Sequence, residues 1–182
     1  IIVDPKKEDF SAYRGASIIT PNYKELLKAS QYKVNTGKEI NKEKASEIVS
    51  RLSKKIIKKF NFNAVVTTRS SDGISIFDQK NKSLHLPSKA KEVYDVSGAG
   101  DTVIAYISSG LAKGRSLFNS VEIANDAAGV AVGKFGTTVV KVEDLLANKS
   151  ANKVLSLNEV CADLKNKINK KIGFTNGCFD LI

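Results

Sequence analysis

A glycine-rich segment followed by a carboxylate is the strongest chemical signal in the sequence. Residues 95–101 read Asp-Val-Ser-Gly-Ala-Gly-Asp and lead into an apolar run that predicts a helix over residues 102–112. Glycines let the backbone approach a ligand closely, and the N–H groups at a helix N-terminus attract an anion. Asp101, in the first turn, could accept a proton from an attacking hydroxyl group. This layout suits phosphoryl transfer to an alcohol, and the alternative is an ordinary glycine turn before a helix.

Two other glycine motifs of nucleotide-binding proteins do not fit the sequence. It contains no Gly-x-x-x-x-Gly-Lys-Ser/Thr segment, which excludes a P-loop. Gly98 and Gly100 lack the third glycine of the dinucleotide-binding motif, because Val103 stands at that position. The strand before that motif and the acidic residue some 20 positions after it are also missing.

The second signal is an amide and a carboxylate three residues apart. Residues 20–25 read Thr-Pro-Asn-Tyr-Lys-Glu, which places Asn22 and Glu25 on one face of the first turn of a predicted helix. Their oxygens could hold hydrated Mg²⁺ beside a polyphosphate. The alternative, favoured when this motif is taken alone, is a capping box with Asn in place of Ser or Thr.

Alternating strands and helices must position these residues. Apolar and β-branched runs predict strands at residues 1–4, 17–20, 64–68, 73–77, 83–86 and 137–142. Helical periodicity and capping residues predict helices at residues 23–29, 41–60, 102–112 and 116–133. This order predicts an α/β layered domain with a mainly parallel central sheet.

Composition and charge narrow the class of protein. Among 182 residues, 29 are Lys or Arg and 19 are Asp or Glu, which gives a formal charge of +10. Only four of the basic residues are Arg, which favours a solvated surface over nucleic-acid binding. No apolar run approaches the roughly 20 residues of a membrane span, so no membrane partner is expected. Two cysteines, Cys161 and Cys178, indicate a reducing cytoplasm and no disulfide framework.

We expect the chain to be a piece of a longer protein, because it begins with Ile1 and contains no Met. A boundary is predicted after residue 141. A polar stretch follows, and then a helix whose capping box is formed by Ser156 and Glu159. Residues 172–175 predict the first strand of another unit.

The two motifs, in this order, resemble those of the PfkB-type (ribokinase-like) carbohydrate kinases. Residues 95–101 are similar to that family's C-terminal signature, with Val-Ser where two Thr are common. Residues 22–25 are similar to its Asn-x-x-Glu magnesium motif. The resemblance implies a ribokinase-like fold, here as a partial domain, with ATP as co-substrate and Mg²⁺ as cofactor.

The resemblance also implies roles for individual residues. Asp101 would be the catalytic base, and Asn22 and Glu25 would hold Mg²⁺ through water. The nucleotide-binding residues would be Asn22, Tyr23, Lys24, Glu25, Gly98, Ala99, Gly100 and Asn125. Residues 67–73 would lie along the nucleotide, and Asn125 would lie near the adenine. Asp126 stands where a small residue is expected.

A narrower resemblance, to the family of bifunctional enzymes of ADP-heptose synthesis, covers nearly the whole chain. It rests on residues 2–6, 10–16, 93–95 and 132–137, and on residues 174–182, which are similar to the start of a nucleotidyltransferase. It implies that the kinase domain phosphorylates D-glycero-D-manno-heptose 7-phosphate at O1 and that a second domain adenylylates the 1-phosphate. The full-length enzyme would be a homodimer.

The same resemblance divides the chain. Residues 1–141 would be the C-terminal part of the kinase domain, residues 142–171 a linker with a helix, and residues 172–182 the first strand of the second domain. The family's sugar-binding segment and lid are not in this sequence, so the fragment is expected to be inactive alone. Two alternatives remain: a PfkB-type kinase for another sugar, such as ribose or a fructose phosphate, or a non-catalytic module that binds nucleotide or nucleic acid.

His85 and Lys6 could each have either a structural or a chemical role. His85 is predicted to be a half-exposed strand residue and no ligand or catalyst. Lys6 is predicted to be a solvated loop lysine, and contact with a substrate or nucleotide phosphate is the less favoured alternative.

Overall fold

A five-stranded mixed sheet forms the centre of the computed structural model, which describes residues 1–32, 42–90, 93–150 and 160. The strands, in spatial and chain order, are β1 (Ile2–Val3), β2 (Ile18–Ile19), β3 (Ala64–Thr68), β4 (Ile74–Asp78) and β5 (Ser83–Leu86). The first three are parallel, and the pairs β3–β4 and β4–β5 are antiparallel. Short turns join these last strands, and a short turn can connect only antiparallel neighbours.

Five helices accompany the sheet in the described part of the chain. They are α1 (Tyr23–Ala29), α2 (Lys42–Phe60), α3 (Ala99–Ala112), α4 (Leu117–Val132) and α5 (Val142–Ser150). The predicted bounds of α1 are confirmed, whereas α3 begins three residues before the predicted start, because Gly98 is its N-cap. Asn41, the predicted cap of α2, lies outside the described residues. Two 3-10 turns, Phe10–Tyr13 and Ser70–Asp72, complete the elements, and no described helix could cross a membrane.

The sheet separates two apolar clusters, and strand alternation decides which residues enter each. In β3, Val65 belongs to the cluster that contains residues of α1 and α2, while Val66 belongs to the cluster that contains residues of α3 and α4. In β4, Phe77 and Ile76 divide in the same way. The fold therefore has three layers, with helices on both faces of the sheet. Burying each such side chain stabilises the fold by about 1.5–3 kcal/mol.

The strand predicted at residues 137–142 is wrong. Residues 138–141 have no strand pairing, and Val142 begins α5. Val140 is buried in a small cluster with Ala127 and Ala131 of α4, and its carbonyl accepts a 2.8 Å hydrogen bond from the Tyr106 hydroxyl. Val140 packs on α4, whereas Thr137, Thr138 and Val139 are exposed, and none of these residues extends the sheet.

The chain divides into two compact units, residues 1–145 and residues 146–182. The first contains the sheet, α1 to α4 and the start of α5. In the second, the structure describes only the end of α5 and the helical Val160. The rest of the helix predicted after Ser156, the strand predicted at residues 172–175 and both cysteines lie outside the described residues.

Candidate active site

A cleft of about 510 Å³ lies at the carboxyl ends of the parallel strands. Asp4 follows β1, Thr20 follows β2 and Thr68 ends β3, and all three line the cleft. This edge is where ligands bind in open α/β sheets, because loops and helix N-termini meet there.

The N-terminus of α1 brings Asn22 and Glu25 to this cleft. The Asn22 side chain accepts a 2.9 Å hydrogen bond from the N–H of Glu25, and the Glu25 carboxylate accepts a 2.7 Å bond from the N–H of Asn22. This is the predicted capping box, and it fixes both side chains at the start of the helix. Asn22 also forms a bridge to Thr68, which ties the helix start to the end of β3. Asn22 and Glu25 can therefore cap the helix and also face a ligand in the cleft.

The glycine segment reaches the same cleft from a distant part of the sequence. Gly98 caps α3 with a left-handed φ of 78°, and the next two residues, Ala99 and Gly100, line the cleft. The turn before them is held by Asp95, whose carboxylate accepts a 2.8 Å bond from the N–H of Ser97. Hydrogen bonds from Ser97 and Gly136 lower the pKa of Asp95, which is therefore ionised at neutral pH.

The backbone at Gly100 borders open space. A Cβ atom built there meets no atom within 4 Å. The N–H of Ala99 already donates to the Val96 carbonyl at 3.3 Å, whereas the following N–H groups of a first helical turn have no partner within the helix. An anion could therefore approach the backbone of α3 at Gly100, with the helix dipole adding attraction.

Asp101 and Lys6 are two charged side chains of the candidate site: Asp101 directly follows Gly100, which lines the cleft, but is not itself a lining residue. Asp101 is exposed on the first turn of α3. Lys6 lines the cleft, and its ammonium group lies 2.6 Å from a carboxylate oxygen of Asp4. The pKa of Lys6 is raised, mainly by this hydrogen bond to Asp4, with smaller contributions from the charges of Glu25 and Asp101. Lys6 is exposed, as predicted; its ammonium group is paired with Asp4, and the charges of Glu25 and Asp101 also act on it.

Small and apolar side chains line the remaining wall of the cleft. They include Val93, Val96, Val103, Ala128 and Val132. Such a wall suits a flat, weakly polar group such as a nucleotide base.

Asn125 lines this wall but also has a structural role. Its side-chain amide is buried and donates a 2.9 Å hydrogen bond to the carbonyl of Pro87. A Cβ atom at Gly129 would lie 3.0 Å from the backbone of Lys89, so the segment at residues 87–90 packs closely on α4. Asp126, in place of the expected small residue, forms a 2.6 Å ion pair with Lys89 on the same segment.

The structure does not bring every predicted nucleotide-binding residue into the main cleft. Tyr23 and Lys24 line a separate cavity of about 310 Å³, and Asn22 lines both spaces. Their contact with a nucleotide stays a prediction. The Tyr23 hydroxyl is buried, and burial raises the pKa of Tyr23.

The turn predicted to lie along the nucleotide divides between two environments. Thr68, Ser70, Ser71 and Gly73 line the main cleft, whereas Thr67 is buried. The Arg69 guanidinium is also buried, and it donates to the hydroxyl groups of Ser46 and Ser75 at 3.0 and 3.1 Å.

The donor set at the cleft fits a hydrated magnesium ion better than a fully protein-bound metal. Among the described residues, no group of three or more His, Cys, Asp or Glu side chains could hold a metal. Asn22 and Glu25 each use one oxygen in the capping box, which leaves the second carboxylate oxygen of Glu25 for a water-mediated contact. Mg²⁺ commonly binds in this way, with few carboxylates, several waters and the phosphates of its substrate.

The sequence analysis missed several residues that line the cleft. Asp4, Thr20 and Ser88 were not predicted to be site residues, whereas Ser70 and Ser71 belong to the turn at residues 67–73 that was predicted to lie along the nucleotide. Asp4 and Thr20 follow two strands that the sequence does predict. The rule that ligands bind at the carboxyl ends of parallel strands could have found them.

Comparison with known proteins identifies the family. The family model described as pfkB family carbohydrate kinase matches residues 1–144. The bifunctional protein HldE of Geotalea uraniireducens is 39% identical over 190 residues, which are 100% of this chain and 37% of that protein. HldE of Rhodospirillum rubrum is 40% identical over 191 residues, with the same coverage of both proteins. The chain thus spans just over a third of the length of these relatives.

Solved structures show the same fold. Arabidopsis thaliana ribokinase, complexed with ribose and ATP, aligns with a TM-score of 0.65 and 22% identity, over 81% of this chain and 46% of that one. Escherichia coli phosphofructokinase-2, in complex with potassium, aligns with a TM-score of 0.65 and 20% identity, over 82% and 46% of the two chains. The predicted ribokinase-like α/β fold is confirmed. This chain belongs to the pfkB family of carbohydrate kinases.

Proposed function

We propose that this chain forms the nucleotide side of a kinase that transfers the γ-phosphoryl group of ATP to O1 of D-glycero-D-manno-heptose 7-phosphate. One observation carries the proposal: two motifs about 75 positions apart line one cleft at the carboxyl ends of the parallel strands. A capped amide–carboxylate pair and a glycine-rich helix start are suited to holding a metal-bound triphosphate.

The choice of a heptose phosphate rests on similarity to relatives. Proteins named bifunctional protein HldE are about 40% identical to this chain along its whole length. The sequence segments that resemble the enzymes of ADP-heptose synthesis are spread over the same length. They support a heptose phosphate over ribose or a fructose phosphate as the acceptor.

Asp101 is the proposed base of the reaction. Its carboxylate takes the proton of the O1 hydroxyl as O1 attacks the γ-phosphorus of ATP. The O1–P bond forms while the bond from the γ-phosphorus to the β,γ-bridging oxygen breaks, and ADP leaves with that electron pair. Asp101 is exposed on the first turn of α3, where an acceptor alcohol can reach it.

Backbone groups at the start of α3 carry out the second part of the proposed mechanism. The N–H groups around Gly100 point out of a first helical turn and can donate to the oxygens of the phosphoryl group. They stabilise the negative charge during transfer without moving, because the helix holds them in place.

Asn22 and Glu25 would hold Mg²⁺ through water in this proposal. When bound, the ion would neutralise charge on the phosphates of ATP. The capping box keeps the two side chains together and therefore positions them for the hydrated ion.

The proposal extends to the organisation of the protein. Residues 1–141 are the C-terminal part of the kinase domain, residues 142–171 a linker with a helix, and residues 172–182 the start of an adenylyltransferase domain that acts on the heptose 1-phosphate. The full-length enzyme is a cytoplasmic homodimer. Light scattering of the full-length protein measures its mass and tests the dimer.

The test is phosphoryl transfer by the full-length protein with Mg-ATP. D-glycero-D-manno-heptose 7-phosphate, ribose and fructose 1-phosphate are offered side by side, and the release of ADP is measured. We expect turnover of the heptose phosphate alone. Turnover of another sugar would overturn the choice of substrate and leave the kinase chemistry intact.

The Asp101→Asn variant tests the role of the base. The amide cannot accept the proton, so we expect kcat to fall by about 10²–10⁴-fold. The affinity for ADP, measured by calorimetry, should stay close to that of the wild type. Loss of both turnover and ADP binding in a folded variant would contradict a role as base.

A further inference from the structure

Negative charge dominates the described residues of the cleft. Asp4 and Glu25 line it, and Asp101 directly follows Gly100, another lining residue, at the start of α3. Lys6 is the only cation among the described residues that line this space. A nucleoside triphosphate carries about four negative charges, and carboxylates within several ångströms repel it. The positive charge of Lys6 therefore strongly affects whether a phosphate group can bind in the cleft.

The fold holds both the backbone and the charged end of Lys6 in place. The N–H groups of Lys6 and Lys7 both donate to the hydroxyl of Tyr13, at 2.7 Å each. Pro5, immediately before, is buried. At the far end of the side chain, Asp4 binds the ammonium group at 2.6 Å. The backbone is thus held by the protein, while the charged group lies at the cleft.

The ion pair with Asp4 leaves Lys6 able to bind another anion. The side chain of Lys6 is 75% exposed, and exposed ion pairs stabilise a fold by little. A phosphate group with two negative charges would compete well with one carboxylate. Lysine also suits such a ligand, because its ammonium group is a compact charge with three donors that can turn to follow moving oxygens.

We infer that Lys6 is a catalytic residue that binds the γ-phosphoryl group of the nucleoside triphosphate during its transfer, and that Asp4 is the positioning residue that holds the ammonium group at the cleft. This inference rests on the proposed kinase function. Lys6 contacts the transferred group from the β1 side of the cleft. The backbone of α3 contacts it from the other side.

The test compares Lys6→Met with Lys7→Met in the full-length protein. Lys7 is a close control, because it is the next residue, is exposed and donates its N–H to the same Tyr13 hydroxyl, but does not line the cleft. We expect Lys6→Met to lower kcat by about 10²–10³-fold, the usual effect of losing one charge-stabilising donor. Lys7→Met should stay within about twofold of the wild type. Lys6→Arg should recover part of the lost rate, because it restores the charge.

Binding provides a second readout that does not depend on turnover. ADP lacks the γ-phosphate, whereas a non-hydrolysable ATP analogue carries it. Lys6→Met should weaken the analogue by about tenfold, the effect of losing about 1.4 kcal/mol, and leave ADP unchanged. A merely structural role would weaken both ligands equally, and that result would overturn the inference.

The outcomes separate this inference from the function on which it rests. If the wild type phosphorylates the sugar and Lys6→Met is as active, the inference is wrong and the kinase function stands. If the wild type transfers no phosphoryl group to any sugar, the proposed function fails first. If Lys6→Met does not fold, Lys6→Gln is measured in the same two assays, and equal loss of analogue and ADP in that variant again overturns the inference.

Discussion

Gly100→Ala separates the chemistry of the cleft from the stability of the fold. Gly100 lies in the first turn of α3, and an added Cβ atom would meet no protein atom within 4 Å. Alanine is a better helix former than glycine by about 0.8–1 kcal/mol in a helix interior, and by less at a terminus. We therefore expect the free energy of unfolding to rise by about 0.5 kcal/mol. For a domain of this size, Tm should rise by about 1–2 °C.

The same methyl group should damage the reaction. It would occupy the open space at Gly100 where we propose that the phosphoryl group approaches the backbone. Losing one preorganised donor to a transferring group lowers kcat by about 10²–10³-fold. The variant should therefore be slightly more stable than the wild type and about 100-fold slower. The free energy of unfolding is measured by urea denaturation, and kcat by ADP release.

Two variants of the same helix region, Ser108→Ala and Gly98→Ala, serve as controls for this comparison. Ser108 is exposed on the same helix and does not line the cleft. Its replacement by alanine also raises helix propensity. This variant should gain stability and keep full activity. Gly98→Ala forces alanine into a left-handed φ of 78°, which costs about 1 kcal/mol or more. Normal kcat in Gly100→Ala would refute the proposed path of the phosphate, and a marked loss of stability would refute the open space at this position.

Two other substitutions test the fold around the cleft. Gly73→Ala should destabilise the protein by at least about 3 kcal/mol in urea denaturation, because a Cβ atom there would lie 2.0 Å from the carbonyl oxygen of Leu86 at a φ of 84°; a loss below 1 kcal/mol would show that β5 can move aside. Partial desolvation, and then the Arg69 charge, lower the pKa of His85 below its usual 6.5, so this side chain binds fewer protons in the folded protein than in the unfolded one. The free energy of unfolding should therefore fall as pH decreases from about 7.5 to 5, and His85→Gln, which removes the single histidine of the sequence, should flatten this decrease; an unchanged pH dependence would contradict the assignment.

Local sequence signals predicted the elements whose ends they fix. Asn22 and Glu25 satisfy the backbone at the start of α1, and the observed helix has the predicted bounds. The β-branched run of residues 64–68 forms β3 with the predicted bounds, because both faces of that strand are covered. In these cases the local preference and the tertiary environment agree.

Local signals failed where the environment decides. Residues 137–142 are as β-branched as a strand, but Val140 finds its contacts on α4 and its carbonyl accepts from Tyr106. β-propensity describes how well a side chain fits a half-buried sheet surface, and here the segment pairs with no strand. The packing of Val140 on α4 outweighs the local preference for a strand.

The candidate site could be predicted only in part for a related reason. The glycine segment and the capped pair carry their chemistry in short motifs, and the structure brings both to one cleft. The environment of Lys6 is different, because it depends on the pairing of β1 with β2 and on the approach of α1 and α3. A lone loop lysine gives no local signal of Glu25 and Asp101, whose carboxylates come from distant parts of the chain.

The strands of this sheet differ greatly in how far apart their partners lie along the chain. β3, β4 and β5 are consecutive and joined by tight turns, whereas β2 pairs Ile18 with Ala64, across α1 and α2. Closing a long loop costs more entropy, so we expect the hairpins to form early in folding and β1 and β2 to join late. Each of these two strands has only two residues. The wall that carries Asp4 and Lys6 should therefore be the last to assemble and the first to exchange its amide hydrogens with solvent.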